Sequence, residues 1–444
     1  MLSPAAPPPP LAAAAAERPA LHATAPDPLA AGQAHLGQIG WTPPPRGGAR
    51  PLVAVLDTGV DPSSPDLAGV VLTGAGRSFV AASPDPTSDP VGHGTHVAGI
   101  IAASTGNGVG GSGVAAARIL PVTVADASGR TTASALVRGL AYASGRGARV
   151  INISFGGRGF SKVEQDAIDA AALRGALIVV AAGNTGGGAT PDYPGAYRQV
   201  LAVGALGASG RPLNVSARGP QVALAAPGEA ILSTAPGGSP ALVPRTGTSM
   251  AAAVVSGAAA RIIAARPGLT AQQVREVLET SARDVPPTGP DPGTGAGALD
   301  LAAALAAPDP PRGDPEPNDD PVLAAATRPL LPADGPARRT VRGRTGSWSD
   351  PRDGFAVQLA AGQRLSASLR GPAAADLDLV LWRPGARGGR RGRAYARTWL
   401  AAASLGPSSG ESISFRASSA GLYTLEVQGV RKATRYALTA ERGP

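Results

Sequence analysis

The chain has 444 residues, no cysteine and a formal net charge of +9. This length is sufficient for two or three domains, and a hydrophobic fraction of 43% is more than a disordered chain carries. The absence of cysteine excludes a disulfide scaffold, a thiol nucleophile and cysteine-bound zinc or iron–sulfur clusters.

The positive charge comes almost entirely from arginine, because Lys162 and Lys432 are the only lysines. A basic chain can have nucleic acid as a partner. Here, however, the arginines are scattered along the sequence and aromatic residues are only 3% of it. We therefore predict no nucleic-acid partner and attribute the arginine and alanine content to a GC-rich genome.

Residues 1–30 are rich in alanine and proline and predict a disordered leader, the remnant of a signal or propeptide. As a secretory signal this leader is weak, because four prolines precede the short apolar run 11–16 and the first arginine is Arg18. It is also too short to form a folded inhibitory propeptide. We expect no membrane span, since the nearest candidate, residues 251–265, contains Arg261.

From about residue 51 to residue 306, short β-branched runs alternate with helical patterns. The runs typical of buried parallel strands are 52–56, 119–124, 150–154, 177–182 and 200–203. The helical patterns cover 95–103, 133–143, 164–173, 251–264 and 271–282. This alternation predicts an α/β fold with a doubly wound, mostly parallel sheet, which we assign to residues 31–307.

The pattern changes after a Pro/Asp-rich linker at residues 308–321. Short alternating strand candidates follow, separated by glycine and proline: 355–359, 364–369, 377–382, 412–415, 422–427 and 435–438. No helical pattern occurs among them, so residues 322–444 predict a small all-β sandwich domain.

Three segments of the α/β region hold residues suited to catalysis. In the first, an apolar strand ends at Asp57, and sites in open parallel sheets form outside the carboxyl ends of the strands. In the second, His93 lies between two glycines at the start of a helix. In the third, Ser249 lies where a loop becomes a helix, whose dipole favours developing negative charge.

Each of these residues also has a structural interpretation. Asp57 and Ser249 are residue types common in turns and helix caps. His93 and His96 could instead form a metal pair, but their spacing differs from that of helical zinc sites, and His96 is predicted to be structural. Taken together in the order Asp, His, Ser, they supply the carboxylate, general base and nucleophile of a serine hydrolase.

These segments resemble the subtilisin-like serine proteases, or subtilases. The motifs that carry the resemblance occur in family order: 56–61 with 65–67, then 92–99, 152–156, 181–184 and 247–251. The resemblance implies a catalytic triad of Asp57, His93 and Ser249, with Asn184 as the side-chain donor of the oxyanion hole. One site departs from the family, since Ala253 and Val254 stand where it generally has proline and histidine.

The resemblance also implies where a substrate binds. The residues assigned to this site are Ser154, Phe155, Gly156, Ala181, Gly183 and Asp192. The first three resemble an edge strand that pairs with an extended backbone, which predicts a polypeptide substrate. Asp192 matches the floor of the pocket for the residue before the cleaved bond, where a carboxylate would select arginine or lysine. The alternative is a solvated loop aspartate in a neutral pocket.

Calcium is the one ion that the resemblance suggests, and the chemistry itself requires no cofactor. Asp66 and Asn107 match family positions that ligate calcium, and the loop 106–113 is rich enough in glycine to turn carbonyl oxygens inward. The loop has few carboxylates, so calcium occupancy stays open.

The C-terminal region, about residues 313–444, resembles the bacterial pre-peptidase C-terminal domain. The matching traces are 316–320, 353–355, 376–379 and 421–423. Residues 383–397 hold six arginines and no acidic residue, which is typical of a solvated loop; binding to an anionic surface is the alternative.

The sequence therefore predicts a secreted, monomeric serine endopeptidase that forms an acyl-enzyme on Ser249. One alternative is a catalytically silent protease scaffold used for binding or adhesion, against which the intact triad argues. Another is an esterase of the α/β-hydrolase class, whose Gly-x-Ser-x-Gly elbow and Ser-Asp-His order this chain lacks.

Overall fold

The computed structural model describes residues 26–157, 159–188, 190–310, 324, 329–345, 352–386, 399–429 and 434–444. These residues form two compact units that divide at residue 310. Residues 1–25 of the predicted leader, residues 311–321 of the predicted linker and residues 387–397 of the arginine-rich segment lie outside the described residues. The predicted domain bounds therefore stay predictions.

A seven-stranded sheet forms the centre of the first unit. Its strands are β1 (Leu52–Asp57), β2 (Arg77–Ser78), β3 (Arg118–Thr123), β4 (Val150–Ile153), β5 (Leu177–Ala181), β6 (Val200–Leu206) and β7 (Val222–Pro227). They lie in the order β2-β3-β1-β4-β5-β6-β7, and every pairing is parallel. A separate antiparallel pair consists of β8 (Ile231–Ser233) and β9 (Val243–Arg245).

Helices cover both faces of this sheet. They are α1 (Ala34–Gln38), α2 (His93–Ala102), α3 (Ala133–Gly145), α4 (Lys162–Leu173), α5 (Thr248–Ala265), α6 (Ala271–Thr280) and α7 (Leu301–Ala306). Along β1, Val53 and Val55 lie in the core formed with α2 and α5, whereas Leu52 and Leu56 lie in the core formed with α3 and α4. Burial on both faces explains the continuous apolar run of this strand and confirms the predicted doubly wound α/β fold.

Strand β1 lies between β3 on one side and β4 on the other, so the strand order reverses at β1. Such a reversal creates a crevice at the carboxyl end of the strand. Helix α5 packs in the core against this sheet and is buried from Thr248 to Ile263. It is the one described helix that is long and apolar enough to cross a membrane, and 89% of the apolar segment is buried in the unit. Its composition is therefore that of a core helix.

The second unit consists of two four-stranded antiparallel sheets. Its strands are β10 (Arg338–Thr345), β11 (Arg352–Leu359), β12 (Arg364–Arg370), β13 (Leu377–Trp382), β14 (Leu400–Ser404), β15 (Gly410–Arg416), β16 (Gly421–Gly429) and β17 (Thr434–Gly443). The orders are β10-β17-β12-β15 and β11-β16-β13-β14. Apolar side chains from both sheets share one core, as expected for the predicted β-sandwich.

Candidate active site

The candidate carboxylate and histidine are in direct contact. Asp57 is the last residue of β1 and His93 is the first residue of α2, and 2.8 Å separates His93 Nδ1 from Asp57 Oδ1. Helix and strand can approach this closely because residue 94 is glycine: a Cβ on Gly94 would overlap the carbonyl oxygen of Gly59. The fold thus brings together two residues that lie 36 positions apart in the sequence.

The electrostatics of His93 suit a general base. Burial lowers the pKa of His93, but the charge of Asp57 and the hydrogen bond to it more than offset that effect. The pKa therefore lies above its ordinary value of 6.5. The guanidinium of Arg245 opposes this increase and the carboxylate of Asp89 adds to it. The pair is arranged to stabilise an imidazolium.

A second buried carboxylate, Asp89, links the two segments that carry this pair. Its Oδ1 accepts hydrogen bonds from Thr58 Oγ1 at 2.7 Å and Gly92 N at 2.9 Å, and its Oδ2 accepts from Thr95 N at 2.8 Å and Thr95 Oγ1 at 2.6 Å. Thr58 follows the candidate carboxylate and Gly92 precedes the histidine, so Asp89 joins the end of β1 to the start of α2. Asp89 is not predicted from the sequence, because it lies three positions before Gly92, the N-cap residue of α2.

The candidate nucleophile lies in the first turn of α5. Ser249 is buried and 8% exposed, and its hydroxyl donates to the carbonyl oxygen of Ser154 at 2.9 Å. Its single proton is therefore directed at the predicted substrate strand and not at His93. Hydrogen bonds between a nucleophile and its base are often absent without substrate, and a rotation about one side-chain bond redirects the hydroxyl.

Asn184 is held so that its Nδ2 forms no hydrogen bond with the described residues and can donate to a ligand. Its Oδ1 accepts from Thr248 N at 3.0 Å and Thr248 Oγ1 at 3.1 Å, which leaves Nδ2 as the outward end of an exposed side chain. Thr248 Oγ1 also accepts from the backbone of Gly183 at 3.1 Å. Since Thr248 directly precedes Ser249, the Asn184 side chain lies near the Ser249 N–H. An oxyanion hole requires two such donors close together.

One of the predicted substrate residues, Asp192, lines a cavity of about 440 Å³. Ser154, Phe155 and Gly156 follow the end of β4, and Gly183 follows the buried end of β5, Ala181. The half-buried Asp192 lines the cavity, and a Cβ on Gly183 would lie 2.8 Å from its Oδ2. A Cβ on Gly156 would lie 2.9 Å from the Asp192 Cβ. Asp192 therefore lies between the two chain segments predicted to bind substrate.

The two predicted calcium ligands are neighbours, since Asn107 Nδ2 donates to Asp66 Oδ1 at 3.1 Å. A third side chain with oxygen atoms suited to a metal is Asp27, which is not predicted from the sequence. Its carboxylate accepts hydrogen bonds from the backbone N–H groups of residues 106–108. Burial raises the pKa of Asp66, and the negative charge of Asp27 adds to this increase. Neither carboxylate forms an ion pair with a basic side chain within the described residues. Hard oxygen donors of this kind fit calcium.

No group of three or more His, Cys, Asp or Glu side chains suited to a metal occurs in the described parts of the chain. An ion at Asp66 would therefore need further ligands from the loop, such as backbone carbonyl oxygens. Thr105 directly precedes this loop, and its buried Oγ1 has no hydrogen-bond partner among the described residues.

Two further histidines, His35 and His96, are buried and should make the fold sensitive to acid. Burial lowers the pKa of His35 and of His96 from 6.5 to about 4. The unfolded chain takes up these protons near pH 6.5 and the folded chain only near pH 4. Stability is therefore full above about pH 6.5 and decreases down to about pH 4, by roughly 3 kcal/mol per histidine. Urea unfolding of the Ser249→Ala variant, which avoids self-digestion, at about pH 7 and pH 4.5 measures this loss.

The variant His35→Gln in the same background is the control. It removes one of the two groups, so its loss of stability between the two pH values should be smaller by roughly 2 kcal/mol. An equal loss with and without His35 would contradict the assignment.

Known proteins resemble this chain. Residues 48–297 match the subtilase family, Peptidase S8. Fervidolysin from Fervidobacterium pennivorans is 38% identical over 294 residues, which is 60% of this chain and 42% of fervidolysin. Subtilisin amylosacchariticus from Bacillus subtilis subsp. amylosacchariticus is 39% identical over 239 residues, 53% of this chain and 61% of that protein. Thermitase from Thermoactinomyces vulgaris is 40% identical over 238 residues, 53% of this chain and 82% of thermitase. The chain thus spans less than two thirds of the first two relatives.

Proposed function

The chain belongs to the subtilase family, and from this premise we propose that it is a serine endopeptidase acting on extended polypeptides. The observation that carries the proposal is the 2.8 Å contact between Asp57 and His93 at the carboxyl end of the sheet. The placement of Ser249 at the N-terminus of α5, with Asn184 bonded to the preceding residue, supports it further. Loss of peptide hydrolysis on removing the Ser249 hydroxyl is the direct test.

In the proposed reaction, Ser249 Oγ attacks the carbonyl carbon of the peptide while His93 Nε2 accepts the hydroxyl proton. Asp57 keeps the other ring nitrogen protonated and stabilises the imidazolium. The oxyanion accepts hydrogen bonds from the Ser249 N–H and from Asn184 Nδ2. His93 then donates its proton to the leaving amine, the C–N bond breaks, and water hydrolyses the acyl-enzyme by the same proton transfers.

The substrate is proposed to bind as an extended strand beside Ser154, Phe155 and Gly156. These residues follow the end of β4, outside the seven-stranded ladder. Main-chain pairing of this kind tolerates many side chains and favours polypeptides over small esters. All four residues of the proposed machinery are present, so nothing favours a catalytically silent adhesion protein. We place the enzyme outside the cell as a monomer, which N-terminal sequencing and the mass of material recovered from the medium would test.

Asp192 is proposed to select a basic residue before the cleaved bond. Its half-buried side chain lies against Gly156 and Gly183 and lines the cavity, where an arginine or lysine side chain would form an ion pair. Asp192→Asn keeps the shape and removes the charge. We expect kcat/KM for Arg over Leu at this substrate position to decrease by about 10- to 100-fold, measured with a matched peptide series.

The exposed-carboxylate variant Asp166→Asn is the matched control, because it makes the same charge change on α4, where Asp166 pairs with Lys162. It should leave the ratio unchanged. A wild-type enzyme that shows no preference for basic residues would refute the role of Asp192.

A calcium ion is proposed to stabilise the first unit, held by Asp66 and Asn107 with Asp27 nearby. It would neutralise two carboxylates that now repel each other in a buried loop, and it takes no part in the peptide chemistry. EDTA should therefore lower the Tm of the Ser249→Ala variant by about 5 °C or more. Asp66→Asn in that background should abolish the response to EDTA. Equal Tm values with EDTA and with calcium in the parent variant would refute calcium binding.

A further inference from the structure

Nearly all of the net charge lies in the second unit. The first unit, Met1–Pro310, has 20 basic and 19 acidic residues, whereas the second, Pro311–Pro444, has 20 basic and 12 acidic residues. The second unit therefore carries +8 of the total of +9. A genome-wide bias toward arginine does not predict such a division, and the proposed peptidase chemistry does not use it.

One face of the sheet β10-β17-β12-β15 collects much of this charge. Successive side chains of a strand point to opposite faces. On β12, Leu365 and Leu369 are buried in the core, and Arg364 and Arg370 are exposed on the other side. The antiparallel register places five further arginines on this outer face: Arg338, Arg342, Arg344, Arg416 and Arg435.

The arginines form two groups at opposite ends of the face. Arg364 lies directly opposite Arg416 at one end, and Arg370 lies six residues away along β12, about 20 Å at the usual rise per residue. Like charges directly opposite each other destabilise a sheet. An anion bound between Arg364 and Arg416 would remove that repulsion. Glu441, which forms an ion pair with Arg338 at 3.6 Å, is the single carboxylate that the described register places on this face.

Hydroxyl groups occupy the middle of the face, between the two arginine groups. The residues that the register places there are Thr340, Ser366, Ser368, Ser412, Ser414 and Thr439. No aromatic or large apolar side chain occurs on the described outer face of this sheet. The face, called here the arginine–hydroxyl face, is therefore a polar platform with cationic ends.

We propose that the arginine–hydroxyl face binds an acidic polysaccharide, a sugar chain that bears carboxylates. Guanidinium groups bind carboxylates through paired hydrogen bonds, and serine and threonine hydroxyls both donate to and accept from sugar hydroxyls. Proteins that bind single-stranded nucleic acid stack its bases on aromatic side chains, and membrane-binding surfaces add buried apolar area to their charge. The described outer face offers neither. This binding is independent of peptide hydrolysis and would hold the enzyme on a carbohydrate matrix.

The test uses the full chain and immobilised alginate, a polyuronate, with neutral dextran as the reference matrix. We expect binding to alginate but not to dextran at about 50 mM salt, with affinity decreasing as salt increases. The variant Arg364→Ser/Arg370→Ser/Arg416→Ser should bind alginate about 30-fold more weakly, roughly threefold per arginine. Its hydrolysis of a small soluble peptide should be unchanged, which shows that the first unit is folded. Its circular dichroism spectrum should match that of the wild type, which shows that the substituted second unit is folded as well.

The control variant Arg130→Ser/Arg174→Ser/Arg211→Ser makes the same charge change at exposed positions of the first unit. If this control weakened alginate binding equally, net charge alone would explain the loss of affinity, and the proposal would be overturned. Wild-type binding to dextran, or no binding to alginate, would also overturn it. Tighter binding to single-stranded DNA or to phosphatidylglycerol vesicles than to alginate would assign the face to those partners instead.

Discussion

Replacing Ser249 with alanine should lower kcat on a peptide substrate by about 10⁶-fold, the largest effect expected of any single substitution here. The hydroxyl oxygen is the one atom of the proposed machinery that forms a covalent bond with the substrate, so no neighbouring group can take over its role. Ser249 is buried at the start of α5, where alanine is a good helix former, and the fold should be retained. Single-turnover assays with a chromogenic peptide measure the rate.

Labelling with a fluorophosphonate provides a second readout, because the reagent bonds covalently to an activated serine. The wild type should incorporate one label per chain and the Ser249→Ala variant none. The variant Ser128→Ala, at an exposed loop serine bonded to Asp126, should react like the wild type. Labelling of the Ser249→Ala variant at the wild-type rate would show that another residue is the nucleophile.

Elements with a clear periodicity could be predicted to within a few residues. The predicted strand 52–56 is one residue shorter than β1, and the predicted helix 251–264 begins three residues after α5. The helix starts earlier because Thr248 and Ser249, poor helix formers, are held there by tertiary contacts. Strands β7, β10 and β14 were not predicted, since they consist largely of alanine, arginine or serine, which carry little β-branched or aromatic signal.

The same limit applies to the site. Asp57, His93, Asn184 and Ser249 each lie in a recognisable motif, so they could be proposed before the fold was known. Asp89 contacts Thr58 across 31 residues, and Asp27 contacts the loop at Asn107 across 80, so neither contact has a local signature. The arginine–hydroxyl face could not be predicted either, because it depends on a strand register that includes the unpredicted β10.

Replacing Asp57 with asparagine should lower kcat by about 10⁴-fold with little change in KM. The substitution keeps the shape of the side chain and removes its charge. In the transition state His93 carries a positive charge in a half-buried position, and the carboxylate 2.8 Å from its Nδ1 is the main group that stabilises it. An asparagine amide can also donate to Nδ1, which leaves the proton on Nε2 and prevents His93 from accepting one from Ser249.

The pH profile separates this electrostatic role from a structural one. Burial alone lowers the pKa of His93, and Asp57 is the main reason that it lies above 6.5. His93 must be neutral to act as a base, so wild-type activity should decline as pH falls through this raised pKa. In the Asp57→Asn variant the residual activity should decline only at lower pH, whereas Asp85→Asn, at an exposed loop carboxylate, should leave the profile unchanged. An Asp57→Asn enzyme within tenfold of wild-type kcat, or with an unshifted acid limb, would rule out Asp57 as the partner of the base.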